Sequence, residues 1–317
     1  MFNSLFSSLD IFMLRTPLLP LDIYFAWLNF EKSDSEFLKN FLKRSESGQF
    51  RESLKITSPS LYKTLEDFLN NKEVKNEEYF FNSIFKYFIR ATTRCTPFGL
   101  FAGVSFGTFT KENTELILRS PKLSKAVSVD MEWVCGIVKE IEEKFYKKLR
   151  YRKNEGIYIK GDRAVLLNIE KKDKNLIMKK NINLTPALKL VFNATEDYVA
   201  FDEILLNLQN NYPNQKISIL EKYIKELINN DYLVSILRPS LGDENVLKKL
   251  IETLEELGLE NVNLKNILNY MKMYQDENDP QKAIKVYKKL KEYMKMLYES
   301  SNYIQVDSKS NFKTIQL

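Results

Sequence analysis

The sequence predicts an α+β protein, and three observations carry that assignment. Residues 76–93 form a helix that is apolar on most sides, with Tyr79, Phe80, Phe81, Ile84, Phe85, Tyr87, Phe88 and Ile89, so it belongs deep in a core. Residues 156–160, 163–169 and 176–182 alternate as three short strands. Helical stretches near 185–194, 201–211 and 216–229 follow, then a strand at 232–237. Three strands and three helices in this span make a winged-helix outline. The expected architecture is a mixed helix/strand N-terminal subdomain, a winged-helix-like element and a helical C-terminal segment.

The elements follow in order. Ile11 to Arg15 is extended, Pro17 and Pro20 mark a turn, and an apolar segment runs from Ile23 to Phe30. Residues 34–46 and 58–70 are helical, the second started by Ser58-Pro59-Ser60 with Leu61, Leu65, Phe68 and Leu69 at apolar spacing. Pro97 disfavours helix at Thr96 and ends the 76–93 helix. Three of nine glycines then fall at 99, 103 and 107. In a glycine-poor chain they mark an unusual backbone path. Val104 to Phe109 reads as a strand, Lys111 to Thr114 as a turn and Glu115 to Arg119 as a return strand. Residues 131–149 are a helix with Glu132 at its start and Lys147 and Lys148 at its end, matching the macrodipole. Pro239 and Gly242 mark a boundary before Lys-rich helices at 243–257, 262–274 and 280–299. Residues 303–317 begin as a strand (Tyr303 to Val306) with no evident partner. The domains expected are 1–155, 156–239 and 240–317.

Composition excludes several chemistries. The 317 residues include no histidine, which removes Ser-His-Asp and Cys-His catalysis, His-ligated zinc and an imidazole base. Two cysteines, Cys95 and Cys135, can form neither a four-ligand metal site nor a disulfide framework. The net charge is +6, from 38 Lys and ten Arg against 42 acids. That suits RNA or an anionic ligand, and equally suits solvated Lys-rich helices. No apolar run is long enough to span a bilayer. Met1 to Leu28 carries Asp10, Arg15 and Asp22 and lacks a basic start and a cleavage site, so it is not a signal peptide and the expected location is the cytoplasm.

Arg90 and Arg94 are the sharpest site candidates. Their i,i+4 spacing puts both guanidiniums on one helix face, and paired Arg forks suit a phosphate or carboxylate. The glycine bend after them offers backbone N–H groups to the same anion. The competing reading is a structural salt bridge or a solvated face for each. Asp130 precedes the helix at 131 and suits an N-cap. No G-x-G-x-x-G or Walker pattern is present. In the 156–237 segment, Leu220, Tyr223, Ile224 and Leu227 face either the domain core or a groove beside the strand Leu176–Ile182. An extended peptide can add a strand in such a groove, meeting Ile177 and Lys179. DNA binding through residues 217–229 is a weaker alternative, because Glu221 and Glu226 oppose phosphate.

The run Tyr87-Phe88-Ile89-Arg90-Ala91-Thr92-Thr93-Arg94-Cys95-Thr96-Pro97-Phe98-Gly99-Leu100-Phe101-Ala102-Gly103 resembles the hallmark segment of class I lanthipeptide (lantibiotic) dehydratases. Arg15-Thr16-Pro17-Leu18 resembles their opening Arg-x-Pro, and Ser128-Val129-Asp130 their post-hairpin aspartate. The segment closing with Leu233-Val234-Ser235-Ile236-Leu237-Arg238-Pro239 resembles their winged-helix peptide-recognition element. The resemblance implies transfer of glutamate from glutamyl-tRNA to Ser or Thr of a precursor peptide. Elimination to dehydroalanine or dehydrobutyrine follows in a second domain. It implies catalytic roles for Arg90, Arg94, Thr96 and Asp130, tRNA or glutamate binding by Arg15, Arg90 and Arg94, and peptide binding by Ile177, Lys179, Leu220, Tyr223, Ile224 and Leu227. No metal or cofactor is implied; glutamyl-tRNA is a co-substrate. The partners implied are the precursor's leader peptide, glutamyl-tRNA, a complementing dehydratase polypeptide, a cyclase and a second copy of the chain, with membrane contact only through a biosynthetic complex. Members of this family are about three times longer, so the expectation is a truncated product or one piece of a split enzyme, inactive alone. A non-catalytic leader-binding module is the alternative.

Overall fold

The computed structural model describes residues 9–109, 115–118, 124–170, 176–240, 242–243, 245–309 and 312–316; at 115–118, 168–170, 176–178, 309 and 312–316 it describes the backbone alone. The chain divides into two compact units: residues 1–130 with 265–317, and residues 131–264. Residues 1–130 of the first expected domain and 265–317 of the third thus share one unit, while 131–155 and 240–264 fall in the other, so the limits of the units do not coincide with the boundaries at 155/156 and 239/240. Among the described residues no helix is long and apolar enough to cross a membrane.

The first unit opens with strand β1 (Ile11–Pro17), then helices α1 (Leu21–Leu28), α2 (Asp34–Lys43), α3 (Gly48–Thr57), α4 (Pro59–Leu69) and α5 (Glu77–Thr93). Ser33 and Asn76 cap α2 and α5 by accepting from Glu36 N–H and Tyr79 N–H. The core these helices enclose is aromatic. Phe88, fully buried, meets Phe37 and Phe41 edge-on, each at 5.5 Å.

Helix α3 carries no local signature in the sequence. Its buried face carries Phe50 and Leu54 together with the polar Glu52 and Ser53, so apolar periodicity is broken where the helix is most buried. Glu52 is held by Lys125 Nζ at 2.9 Å and by Tyr274 Oη at 3.0 Å. Lys125 also donates to the carbonyl of Glu277 at 2.7 Å and lies over the Tyr274 ring. Burial raises the Glu52 carboxyl above its ordinary range, against the lowering effect of Lys125.

Strand β2 (Ala102–Thr108) follows α5 and pairs with β1 in antiparallel register, Arg15 opposite Val104. Strands β3 (Glu115–Leu118) and β4 (Ser124–Val129) come next. The expected return strand does not form a hairpin with β2, and the expected turn at 111–114 lies outside the described residues. The free edge of β2 is taken instead by β11 (Ile304–Lys309) and β12 (Phe312–Gln316), both parallel to it. β11 pairs antiparallel with β4 on its other side, and β12 with β3. The C-terminal strand therefore has partners on both sides, which corrects the reading of an end without one. Its partners lie roughly two hundred residues upstream, beyond the reach of any local pattern. Helix α12 (Pro280–Leu297), capped by Asp279, precedes it.

The second unit begins with α6 (Met131–Phe145) and β5 (Arg150–Lys153), followed by the antiparallel meander β6 (Ile157–Lys160), β7 (Arg163–Glu170) and β8 (Leu176–Asn183). Helix α7 (Pro186–Ala194), the short β9 (Val199–Ala200), α8 (Phe201–Asn211), α9 (Ile217–Asn229), β10 (Leu233–Ser235) and α10 (Val246–Glu256) complete it; α11 (Val262–Asp276) crosses the limit between units. The expected three strands and three helices are present. A second sheet, β10–β5–β9, was not anticipated, because β5 and β9 are too short to show alternation. Arg238 clamps this unit: it donates two bonds of 2.7 Å to the buried Glu142, which also accepts from Ser235 Oγ at 2.6 Å.

Two outcomes test the first unit. Glu52→Ala leaves a buried ammonium and should cost about 3–5 kcal/mol in chemical denaturation. The paired replacement Glu52→Leu with Lys125→Met should cost far less. Val306→Pro removes an amide from the strand that β4 and β2 share. It should raise hydrogen exchange in both neighbours while leaving β6–β8 protected.

Candidate functional site

Helix α5 stops because Arg94 leaves helical geometry while its N–H still donates to the Arg90 carbonyl at 3.2 Å, and Pro97 forbids its continuation. The chain then turns sharply, closed by Phe101 N–H donating to the Phe98 carbonyl at 3.1 Å. Gly99 has φ +55°, and a Cβ there would stand 3.1 Å from Thr57 Cγ2, so both conformation and space require glycine. Leu100 and Phe101 are fully buried and anchor the bend.

Backbone bonds draw the other candidates to this end of the sheet. Leu18 N–H donates to the Phe101 carbonyl at 3.0 Å and Leu19 N–H to the Ala91 carbonyl at 2.9 Å. The exit of β1, and with it Arg15, is thereby tied to the bend and to the last turn of α5. On the far side, Asp130 N–H donates to the Tyr303 carbonyl at 2.9 Å, beside the Val129–Ile304 pair where β11 begins. Four residues on, Ser308 pairs with Gly103, so Asp130 and the glycine bend lie at the same sheet end.

The side chains differ in setting. Arg90 is half-buried, stacks its guanidinium 4.2 Å over the Phe98 ring, and donates from Nη2 to the Thr96 carbonyl at 3.4 Å. Its Nε is buried without a hydrogen-bond partner. Arg94 and Thr96 are exposed, and Arg15 is exposed with Nε 3.4 Å from Met13 Sδ. Among the described residues none of the three arginines pairs with a carboxylate, so the salt-bridge alternative finds no partner. The result is a half-buried cation and two exposed ones beside a tight, hydrogen-bonded bend. That is a setting for an anion. Phe98 was missed by the sequence reading; its position between Pro97 and the obligatory Gly99 was the available signal.

The peptide candidates sit in the second unit. Ile177 pairs with Ile169 through the backbone, and its side chain lies outside the described residues. Lys179 is exposed opposite Leu167. Leu220, Ile224 and Leu227 are buried at 6%, 0% and 4% exposure, so they fill the core and do not face a groove; their periodicity in α9 served both readings equally. Tyr223 is half-buried, hydrogen-bonded with Thr185, and its hydroxyl is raised by burial. Among the described residues the outer edge of β8 carries no strand.

The chain is similar to known proteins over most of its length. The subtilin biosynthesis protein SpaB of Bacillus subtilis is 30% identical over 99% of this chain and 30% of its own length. The nisin biosynthesis protein NisB of Lactococcus lactis subsp. lactis is 28% identical over 88% of this chain and 28% of its own length. The chain thus spans about 30% of the length of these relatives. Among solved structures, the tRNA-dependent lantibiotic dehydratase MibB from Microbispora sp. matches with a TM-score of 0.77 at 19% identity, over 97% of this chain and 29% of that one. The glutamylation domain TbtB from thiomuracin biosynthesis matches with a TM-score of 0.65 at 16% identity, over 89% of this chain and 34% of that one. The family described as "Lantibiotic dehydratase, N terminus" matches residues 46–317, and the chain belongs to that family.

Proposed function

We propose that this chain forms the N-terminal part of a machine that glutamylates Ser or Thr of a precursor peptide from glutamyl-tRNA, ahead of dehydration. The observation that carries this reading is Arg90: half-buried, without a carboxylate partner among the described residues, and held at the bend between α5 and β2. Its relatives and structural neighbours include a tRNA-dependent dehydratase and a glutamylation domain.

The reaction exchanges one ester for another. The peptide hydroxyl oxygen attacks the glutamyl carbonyl, the carbonyl–ribose bond breaks, and the proton ends on the departing ribose hydroxyl. Such a transfer needs positioning and stabilisation of a developing oxyanion rather than an imidazole. Arg15, Arg90 and Arg94 supply fixed positive charge for the tRNA 3′ phosphates or the glutamate carboxylate. Thr96 supplies a hydroxyl, and Asp130 is the acid–base group of the set. In the second unit, the β6–β8 meander with α7–α9 serves as the winged-helix-like recognition element. A leader peptide would add along the open edge of β8, near Lys179 and Tyr223.

Mixing the chain with precursor peptide and glutamyl-tRNA, with and without a polypeptide equivalent to the remaining two-thirds of its relatives, tests the proposal. A mass increase of one glutamyl group on the peptide is expected in the complete mixture. Its absence in every combination overturns the reading. Arg90→Lys and Arg94→Lys should each lower adduct formation roughly tenfold or more, the worth of a charged bidentate hydrogen bond. A fluorescent leader peptide should bind saturably and weaken on Tyr223→Asp, and unchanged binding would remove the edge of β8 as its site.

A further inference from the structure

Arg90 carries a flexible side chain at the end of a helix, where such a group ordinarily samples several rotamers. Here it does not stand alone. Its guanidinium lies 4.2 Å over the Phe98 ring. Phe98 stacks at 26° on Phe101, and Phe101 at 29° on Tyr87, with Phe50 meeting Phe101 edge-on at 79°. Phe101 is fully buried, whereas Phe98 is 42% exposed. The stack therefore runs from the packed core to the surface and ends on the arginine. An exposed phenylalanine gains little by burial. Its position between Pro97 and Gly99, whose φ of +55° admits few other residues, fixes the ring beneath the cation.

The ring lies against the central carbon of the guanidinium, so its N–H groups find their acceptors elsewhere. Of these, Nη2 reaches the Thr96 carbonyl at 3.4 Å, and Nε is buried without a hydrogen-bond partner, so the terminal amino groups form the edge toward a ligand. A planar cation held by its face presents its edge, which is the geometry a carboxylate or phosphate accepts in bidentate fashion.

We propose that Phe98 is a positioning residue of this site: its ring is the platform that holds the Arg90 guanidinium edge-on to the anion. The proposal rests on the glutamyl-transfer reading for the identity of that anion, a glutamate carboxylate or a tRNA phosphate, but not for the stacking itself.

Two measurements test it separately. In the full chain with labelled arginine, the Arg90 side-chain N–H resonance, assigned by its loss in Arg90→Lys, should show an upfield ring-current shift. Phe98→Leu should abolish that shift and Phe98→Tyr should retain it. An unshifted resonance, or one that Phe98→Leu leaves alone, overturns the proposal whatever the ligand. In binding titrations with glutamyl-tRNA, Phe98→Leu should weaken affinity about threefold to thirtyfold, the span of a cation–π contact. Phe98→Tyr should stay near wild type, and Phe98→Leu should add nothing in an Arg90→Ala background. An equal loss with and without Arg90 overturns the proposal, because Phe98 would then act on the ligand by itself. Uncharged tRNA run in parallel separates the anions: coupling with both RNAs assigns the phosphates, and coupling with glutamyl-tRNA alone assigns the carboxylate. Wild-type binding no stronger than that of Arg90→Ala would sink the glutamyl-transfer reading, while the resonance shift still decides the role of Phe98.

Discussion

The first unit depends on two strands, β11 and β12. They occupy the edge of β2 that β1 leaves open, β11 carrying β4 and β12 carrying β3 on the far side. Without them the two halves of the sheet share no ladder among the described residues, because β2 and β4 do not pair with each other. The backbone N–H and C=O groups of both would then lose their partners, at the cost any unmet buried polar group carries. Strand β11 sets the site. Tyr303, just before it, fixes Asp130, and Ser308 within it fixes Gly103, so one strand, paired on both sides, holds the aspartate and the glycine bend in common register.

The buried Lys125–Glu52–Tyr274 group belongs to this arrangement. Lys125 lies on β4, directly opposite Ser308 of β11, and reaches from the sheet to α3 and to the chain after α11. A buried ion pair of this kind contributes little net stability compared with an apolar replacement, but it penalises any packing that separates its members. It acts as a registry pin between helices and sheet. The Arg238–Glu142–Ser235 clamp does the same within the second unit, joining β10 and its following turn to α6.

Much of the fold was legible in local pattern. Helix α5 could be read because its apolar residues dominate and Pro97 ends it. The β6–β7–β8 meander could be read because its strands alternate. Helix α3 was hidden by buried polar residues whose partners lie on other elements, and β5 and β9 by their length. The arginines stood out by their i,i+4 spacing, which places two residues on one face only within a helix, and Arg94 lies just past the end of α5 in extended geometry. That no carboxylate among the described residues pairs with them, and that a ring lies beneath Arg90, were not legible there. For α9 the sequence supported core and groove alike, and burial decided for the core at Leu220, Ile224 and Leu227.

By itself, then, the sequence determined the α+β class, the absence of imidazole chemistry, the arginine-glycine segment and the family it resembles. Those are matters of composition, short-range period and residue identity. Only the tertiary structure decided that β11 lies between β2 and β4, that Asp130 shares a sheet end with the glycine bend, and that Phe98 carries Arg90. Each of these joins residues through pairing or stacking that depends on the path of the whole backbone, and neither the ladder partner of Gly103 nor the ring under a guanidinium is written in the residues beside them.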